Sequence, residues 1–237
     1  LPFGVETYTE EDTMKIALQT IASMLVGLVF FGVALFLPAG TFHYWQGWVF
    51  IAVFTIATNG PSFYLAVTDP AALQRRMHAG PMAETRTVQK IVIVGTILSV
   101  IATVVISAFD HRFGWSAVPT SVVVVGNVLV AVGLGLAQLV VIQNRYAAAT
   151  ITVEDGQPLV SSGLYRLVRH PLYVGALIMM VGTPLALGSY WGLVAIIPGL
   201  LALAVRIEDE ERMLLDDLDG YEQYMKDVRY RLVPYVW

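Results

Sequence analysis

Two short stretches hold most of the residues whose types and spacing could do chemistry. The first is Gly163-Leu164-Tyr165-Arg166-Leu167-Val168-Arg169-His170-Pro171-Leu172-Tyr173-Val174-Gly175. Pro171 suits the first position of a helix, where its missing N–H costs nothing. The free N–H groups of that first turn, with Arg169 and His170 beside them, make an anion site. The same residues also describe a plain helix start with Arg166 and Arg169 reaching toward a headgroup boundary.

The second stretch is Arg206-Ile207-Glu208-Asp209-Glu210-Glu211-Arg212, four acidic residues in a row beside an apolar run. Continued as a helix, it places Glu208, Glu211 and Arg212 on one face, and Arg206 with Glu210 on another. Carboxylates there can accept hydrogen bonds from ribose hydroxyls or an amine, or can form a solvated helical extension. Asp216, Asp217 and Asp219 read as solvated. Tyr221, Tyr224, Tyr230 and Tyr235 can stack on a purine, attract a sulfonium cation, or simply pack.

Other chemistries are poorly served. The chain has no Cys, which removes thiolate nucleophiles, disulfide scaffolds and Cys-ligated metals. The four His are scattered, with no pair at metal-ligand spacing, so no metal site is expected. No strand, Gly-rich turn and helix follow one another as in a dinucleotide fold. Gly133-Leu134-Gly135 lies inside an apolar run and reads as a close helix contact. No basic stripe stands out from a net charge of −4, so nucleic acid is not an expected partner.

The elements that must position these stretches are membrane helices. The 237 residues are 57% hydrophobic and only 14% charged, with mean hydropathy +0.68. A soluble domain carries about 25% charged residues. Uncharged runs at Ile16–Leu37, Phe42–Thr68, Ile91–Phe109 and Ala117–Ile142 are each long enough to cross a bilayer. Pro38-Ala39-Gly40 is expected to break the first from the second, and Asn59-Gly60-Pro61 to kink the second. Asp69-Pro70 is expected to end it. A fifth run, Pro171 to Val205, is too long for one helix and short for two full crossings. Gly188-Ser189 suggests a turn between arms at 171–187 and 190–206, bent by Pro184 and Pro198. The first run lacks the basic flank of a cleaved leader and reads as a span.

The expected fold is therefore all-α: a polytopic membrane helical bundle of four full spans plus a C-terminal helical hairpin and a C-terminal helix. The first 142 residues form a four-span region, and 143–237 carry the loop, hairpin and polar tail. Thirteen of the fourteen Lys and Arg share one predicted face, with Arg112 alone opposite. The positive-inside rule then makes both termini and the polar stretches cytoplasmic. Tyr44, Trp45, Trp48, Trp115, Tyr190 and Trp191 cluster at the other ends as an interfacial belt.

Arg169-His170-Pro171-Leu172-Tyr173-Val174-Gly175 resembles the R-H-P-x-Y-x-G signature of integral-membrane methyltransferases related to isoprenylcysteine carboxyl methyltransferase and phospholipid methyltransferase. The resemblance extends to Glu210-Glu211, Gly220-Tyr221-Glu222-Gln223-Tyr224, Val228-Arg229 and Pro234. Upstream it takes in Asn144-Arg145-Tyr146 and Leu159-Val160-Ser161-Ser162-Gly163-Leu164-Tyr165-Arg166. It covers roughly 138–237, and Asp69-Pro70-Ala71-Ala72-Leu73-Gln74-Arg75-Arg76 is similar to a weaker pattern after an early span.

The resemblance implies an S-adenosylmethionine-dependent enzyme acting on a lipophilic, membrane-embedded substrate. Carried over by position, Tyr165, Arg166, Arg169, His170, Pro171, Tyr173, Gly175, Glu210, Glu211 and Tyr224 would bind the cofactor. Arg206 and Glu210 would act on the substrate. Carboxyl-methylating members also place an Arg in the helix before the signature loop, where this chain offers Asn127 and Gln138. The competing expectation is an NADPH-dependent membrane sterol or lipid reductase, because Val228-Arg229-Tyr230-Arg231-Leu232-Val233-Pro234-Tyr235 looks like the ending of sterol reductases. A non-catalytic membrane protein or transporter is a third class, disfavoured by the lack of charges inside the uncharged runs.

Overall fold

The computed structural model describes residues 10–68, 73, 86–144, 146 and 156–237. Its helices are α1 (Glu10–Ala39), α2 (Trp45–Thr68), α3 (Thr87–Phe113), α4 (Thr120–Gln143), α5 (Pro171–Ala186), α6 (Trp191–Ala195), α7 (Ile197–Asp217) and α8 (Tyr221–Asp227). A 3-10 turn at Gly163–Arg166 precedes α5. Among the described residues there is no strand. Five stretches are long and apolar enough to cross a membrane, namely Leu18–Ala39, Trp45–Leu65, Thr87–Phe113, Thr120–Gln143 and Trp191–Asp217; Pro171–Ala186 is a shorter apolar helix. The chain is a multi-pass membrane protein built as a helical bundle. At about 1.5 Å per residue α5 spans roughly 24 Å, short of a hydrocarbon core of about 30 Å.

The expected boundaries need small corrections. Pro38 does not break α1, which runs on to Ala39; the chain turns at Gly40, whose φ of +67° favours glycine. α2 continues through Pro61 to Thr68. Gly188, with φ +71°, makes the expected hairpin turn. The second arm is not one helix: it breaks at Ile196, and Pro198 sits in the first turn of α7, where its missing N–H is tolerated. α7 then runs past the apolar residues to Asp217, so the apolar part of the Trp191–Asp217 stretch ends at Val205 and a charged helical extension follows it. Asp69 to Ala72, Gln74, Arg75, Arg76, His78 and Arg145 lie outside the described residues.

α4 and α5 make the closest contact in the bundle, and glycine is the cause. A Cβ at Gly133 would lie 2.5 Å from the Gly175 carbonyl oxygen, and one at Gly182 would lie 2.9 Å from the Gly126 carbonyl oxygen. Gly126 and Gly133 on α4, like Gly175 and Gly182 on α5, are seven residues apart and share a face. The Gly133 reading holds, while Gly135 meets no atom within 4 Å.

The end of the bundle away from the polar stretches is tied by buried groups. Asp110 accepts hydrogen bonds from Ser116 N and Ser116 Oγ, each at 2.6 Å, and from Ser189 Oγ at 2.5 Å. Trp45, Trp48, Trp115, Tyr190 and Trp191 are exposed at that end, as the belt reading expects. Tyr44 departs from it: it is fully buried, donates to the Leu187 carbonyl at 2.6 Å and stacks on His111.

Candidate active site

The bundle brings the start of α3, the end of α4, the start of α5 and the end of α7 to one end. There the two polar stretches are clasped together. Arg169 N donates to Tyr230 O at 2.9 Å, and His170 N to Arg231 O at 3.0 Å. The Arg169 side chain adds hydrogen bonds to the Val228 and Arg229 carbonyls, both 2.8 Å. The tail is thus fixed over the first turn of α5.

Glu211 locks this clasp from α7. Its Oε1 accepts from Arg169 Nε at 2.6 Å and lies 3.1 Å from His170 Nε2, while its Oε2 accepts from Arg231 Nε at 2.8 Å. Burial pushes the Glu211 carboxyl up, but the hydrogen bonds from His170, Arg169 and Arg231 outweigh it and hold the pKa at about 2. Glu210, one position earlier, points elsewhere. It accepts the Tyr173 hydroxyl at 2.6 Å, and its other oxygen is 4.0 Å from His170 Nδ1.

A second network runs from Tyr173 to α3. Arg206 Nε donates to Tyr173 Oη at 2.8 Å, and Arg206 Nη1 to Gln89 Oε1 at 3.0 Å. Gln89 Nε2 and Arg86 Nη2 each donate to Asp209, both at 2.6 Å. Gln89 is fully buried and Asp209 nearly so. A chain of charge-assisted hydrogen bonds therefore links Arg86, Asp209, Gln89, Arg206, Tyr173 and Glu210.

Between the clasp and the 3-10 turn lies a cleft of about 800 Å³, counted out to its open mouth. Its polar wall comes from Arg169, His170, Tyr173 and Glu210, and its aromatic wall from Tyr165, Tyr221 and Tyr224. Asn144, Gln157, Leu159 and Met213 complete the lining with Pro171 and others. Gly163 allows the 3-10 turn to close: its φ is +57°, and a Cβ there would run into the Gln143 amide that holds Ser162 and Leu164. Tyr165 accepts from Asn144 Nδ2 at 3.1 Å, and its carbonyl accepts from Tyr224 Oη at 2.7 Å. Burial raises the Tyr165 pKa to about 12, partly offset by the Asn144 hydrogen bond and reinforced by Glu210. Tyr221 is 3% exposed, its hydroxyl has no hydrogen-bond partner, and burial pushes its pKa upward.

Most of the sequence-derived site residues meet here: Tyr165, Arg169, His170, Pro171, Tyr173, Glu210 and Tyr224 line the cleft. Glu211 stands behind the wall and Arg206 beside it, joined to Tyr173. Two do not fit. Arg166 is exposed and off the cleft wall, because in a tight turn the neighbour of an inward Tyr165 must point away. Gly175 is in the α4 contact, since two positions past Tyr173 a helix has turned about 200°. The helix continues through Glu208, Glu211 and Arg212 as their shared face requires, but the three differ in burial: Glu208 and Arg212 are exposed while Glu211 is buried. α7 is covered on the sides of α3 and the clasp, which leaves Glu208 and Arg212 on its open side. Asp216, Asp217 and Asp219 are exposed, as expected. Tyr230 and Tyr235 pair with each other outside the cleft. Gln89 and Arg86 lie outside the two stretches that the sequence marks, and Asp209 stands in the second of them with no role of its own; a lone Gln beside the apolar run of α3 is the available signal.

The fold and site define a multi-pass helical membrane protein with a charged, tyrosine-lined cleft at one end of its bundle. Residues 121–218 match the family model of phospholipid methyltransferases. The chain is 41% identical over 75 residues to protein-S-isoprenylcysteine O-methyltransferase of Schizosaccharomyces pombe, which is 30% of each protein. It is 36% identical over 91 residues to a Delta(14)-sterol reductase of Mus musculus, covering 37% of this chain and 22% of that protein. The chain spans less than a third of the length of either relative. The family match and the O-methyltransferase similarity support the resemblance to integral-membrane methyltransferases.

Proposed function

We propose that the protein transfers a methyl group from S-adenosylmethionine to a lipophilic substrate held in the bilayer. The observation that carries this reading is the clasp itself, which sets His170, Tyr173 and Glu210 on one cleft wall against Tyr165, Tyr221 and Tyr224. The cofactor would supply a methyl carbon already activated by its sulfonium. Little acid–base work is then needed, and the protein mainly binds, aligns and excludes water. Glu210 has one oxygen free of the Tyr173 bond to accept a ribose hydroxyl or an ammonium. The unpartnered Tyr221 hydroxyl is a further contact that fits a polar ligand. Arg206, fixed by Tyr173 and Gln89 at the apolar end of α7, is the candidate for orienting substrate.

Every described cleft-lining residue lies between 144 and 224, which supports a cofactor-binding region at 143–237 on a four-span region of 1–142. The excess of Lys and Arg at the site end supports a cytoplasmic cleft and cytoplasmic termini. The sterol reductase similarity supports a second reading, NADPH-dependent reduction of a lipid. The test is thermal unfolding and calorimetric titration of purified protein with S-adenosylhomocysteine and with NADPH. A rise in melting temperature with the former alone supports methyl transfer; a rise with NADPH alone overturns it. Tyr221→Phe should keep or raise the melting temperature without ligand, because an unpartnered hydroxyl is lost, yet weaken S-adenosylhomocysteine binding about tenfold.

A further inference from the structure

The second arm of the hairpin breaks at Ile196, and a side chain of α3 sits in the break. In an unbroken helix residue 198 would donate to the Val194 carbonyl and Gly199 N to the Ala195 carbonyl. Pro198 has no N–H to give. Gly199 N donates instead to Ser99 Oγ at 3.0 Å, and Ser99 Oγ donates to the Ala195 carbonyl at 2.9 Å. The Ser99 hydroxyl has therefore entered the helical ladder and bridges the two groups it parts. A side chain inserted in this way kinks a helix. Ser99 is buried, so these two backbone groups depend on it for their pairing.

Gly199 makes the insertion possible. A Cβ there would lie 2.7 Å from Ser99 Oγ and 2.7 Å from Met180 Cε. Beside the break is a cavity of about 520 Å³, whose described lining includes Ser99, Met179, Met180 and Ile196. The arm has space to change direction at this point.

The consequence lies at the other end of α7. α3 and α7 run antiparallel and meet again where Arg86 and Gln89 donate to Asp209. Ser99 to Gln89 and Gly199 to Asp209 are matched intervals, each about 15 Å along its helix. One such contact fixes a position, and two fix a direction as well. Glu210 and Glu211 come directly after the second contact and reach Tyr173 and Arg169, each at 2.6 Å. The lever from Gly199 to Glu210 is about 16 Å, so a turn of about 10° at the break carries Glu210 by about 3 Å. No hydrogen bond survives such a shift.

We propose that Ser99 is a positioning residue for the candidate active site. Its hydroxyl, inserted between Ala195 and Gly199, sets the direction in which α7 delivers Glu210 and Glu211 to the cleft. The effect on α7 stands apart from the methyl-transfer reading, and only the effect on cofactor binding rests on it.

The test uses the 237-residue protein in lipid nanodiscs. The chain has no Cys, so introduced pairs carry spin labels without background. Labels at Arg212→Cys on α7 and Leu139→Cys on α4, both exposed positions, report the distance across the cleft end. Ser99→Ala should change that distance by about 2 Å or more and weaken S-adenosylhomocysteine binding about fivefold or more. Ser99→Thr keeps the hydroxyl and has the cavity beside it for the added methyl, so it should restore both. Gly199→Ala, whose Cβ displaces the hydroxyl, should reproduce Ser99→Ala, and the double variant should be no worse than either single one. The Gly199 variant carries the test if Ser99→Ala does not fold. An unchanged distance in the Ala variants, an equal shift in Ser99→Thr, or a lower melting temperature with distance and affinity both intact would overturn the proposal. Absence of S-adenosylhomocysteine binding by the wild type would instead sink the methyl-transfer reading and leave the distances to judge Ser99.

Discussion

Replacing Glu211 by Gln tests the clasp most directly. The carboxylate is 2% exposed and bridges Arg169 and Arg231, with His170 on the same oxygen as Arg169. Gln keeps the shape but removes the charge, and its amide must turn an N–H toward one arginine. The buried Arg169 guanidinium and the partly exposed Arg231 guanidinium then lose their counter-charge, and disrupting a buried pair such as Arg169–Glu211 costs about 3–5 kcal/mol. The pKa offers a separate measure. From 4.5 unfolded to about 2 folded is 2.5 units, or about 3 kcal/mol at 1.36 kcal/mol per unit. A depressed carboxylate pKa gives stability that is fully present above the unfolded value, near pH 4.5. It is lost as pH falls toward 2.

Thermal unfolding of detergent-purified protein between pH 7 and pH 3 reads both effects. At pH 7 the Glu211→Gln variant should melt roughly 6–12 °C below wild type, for a loss of about 3 kcal/mol. The gap should narrow as pH drops below 4.5, because only the wild type has a carboxylate to protonate. S-adenosylhomocysteine affinity should also fall at least tenfold, since Arg169 and His170 sit on the cleft wall. Equal melting temperatures at pH 7, or a gap that does not change with acid, would refute the assignment of Glu211 as the lock.

Three further outcomes follow from other contacts. Gly133→Leu should push α4 from α5 and lower the melting temperature strongly, whereas Gly135→Ala, with open space around it, should leave it within about 0.5 kcal/mol of wild type or raise it. Asp110→Asn should destabilise by about 1–3 kcal/mol in chemical or thermal unfolding, because an amide cannot accept all three of its serine hydrogen bonds, yet leave S-adenosylhomocysteine titration unchanged. Gln89→Leu unties Arg206 from Asp209; methyl transfer to a lipid acceptor should slow at least tenfold while S-adenosylhomocysteine affinity moves less than twofold, and an equal loss in both would assign Gln89 to overall stability instead.

Much of this molecule was legible in one dimension. Hydropathy is a sum over neighbours along the chain, so the apolar runs and their approximate ends stand in the residue order. The same holds for Gly188 at the hairpin turn and for the two polar stretches, whose residue types announce chemistry wherever they fold. Which residues meet is a different matter, because it depends on how each helix is rotated about its own axis and how deep it sits. That rotation decides that Glu211 is buried while Glu208 is exposed, and that Gly175 serves the α4 contact while Tyr173 faces the cleft. It also joins Gln89 to Asp209 and Arg206, more than a hundred residues away, and leaves the Tyr221 hydroxyl buried without a partner. A 100° step per residue separates these outcomes, and only the packing of one helix on another sets it.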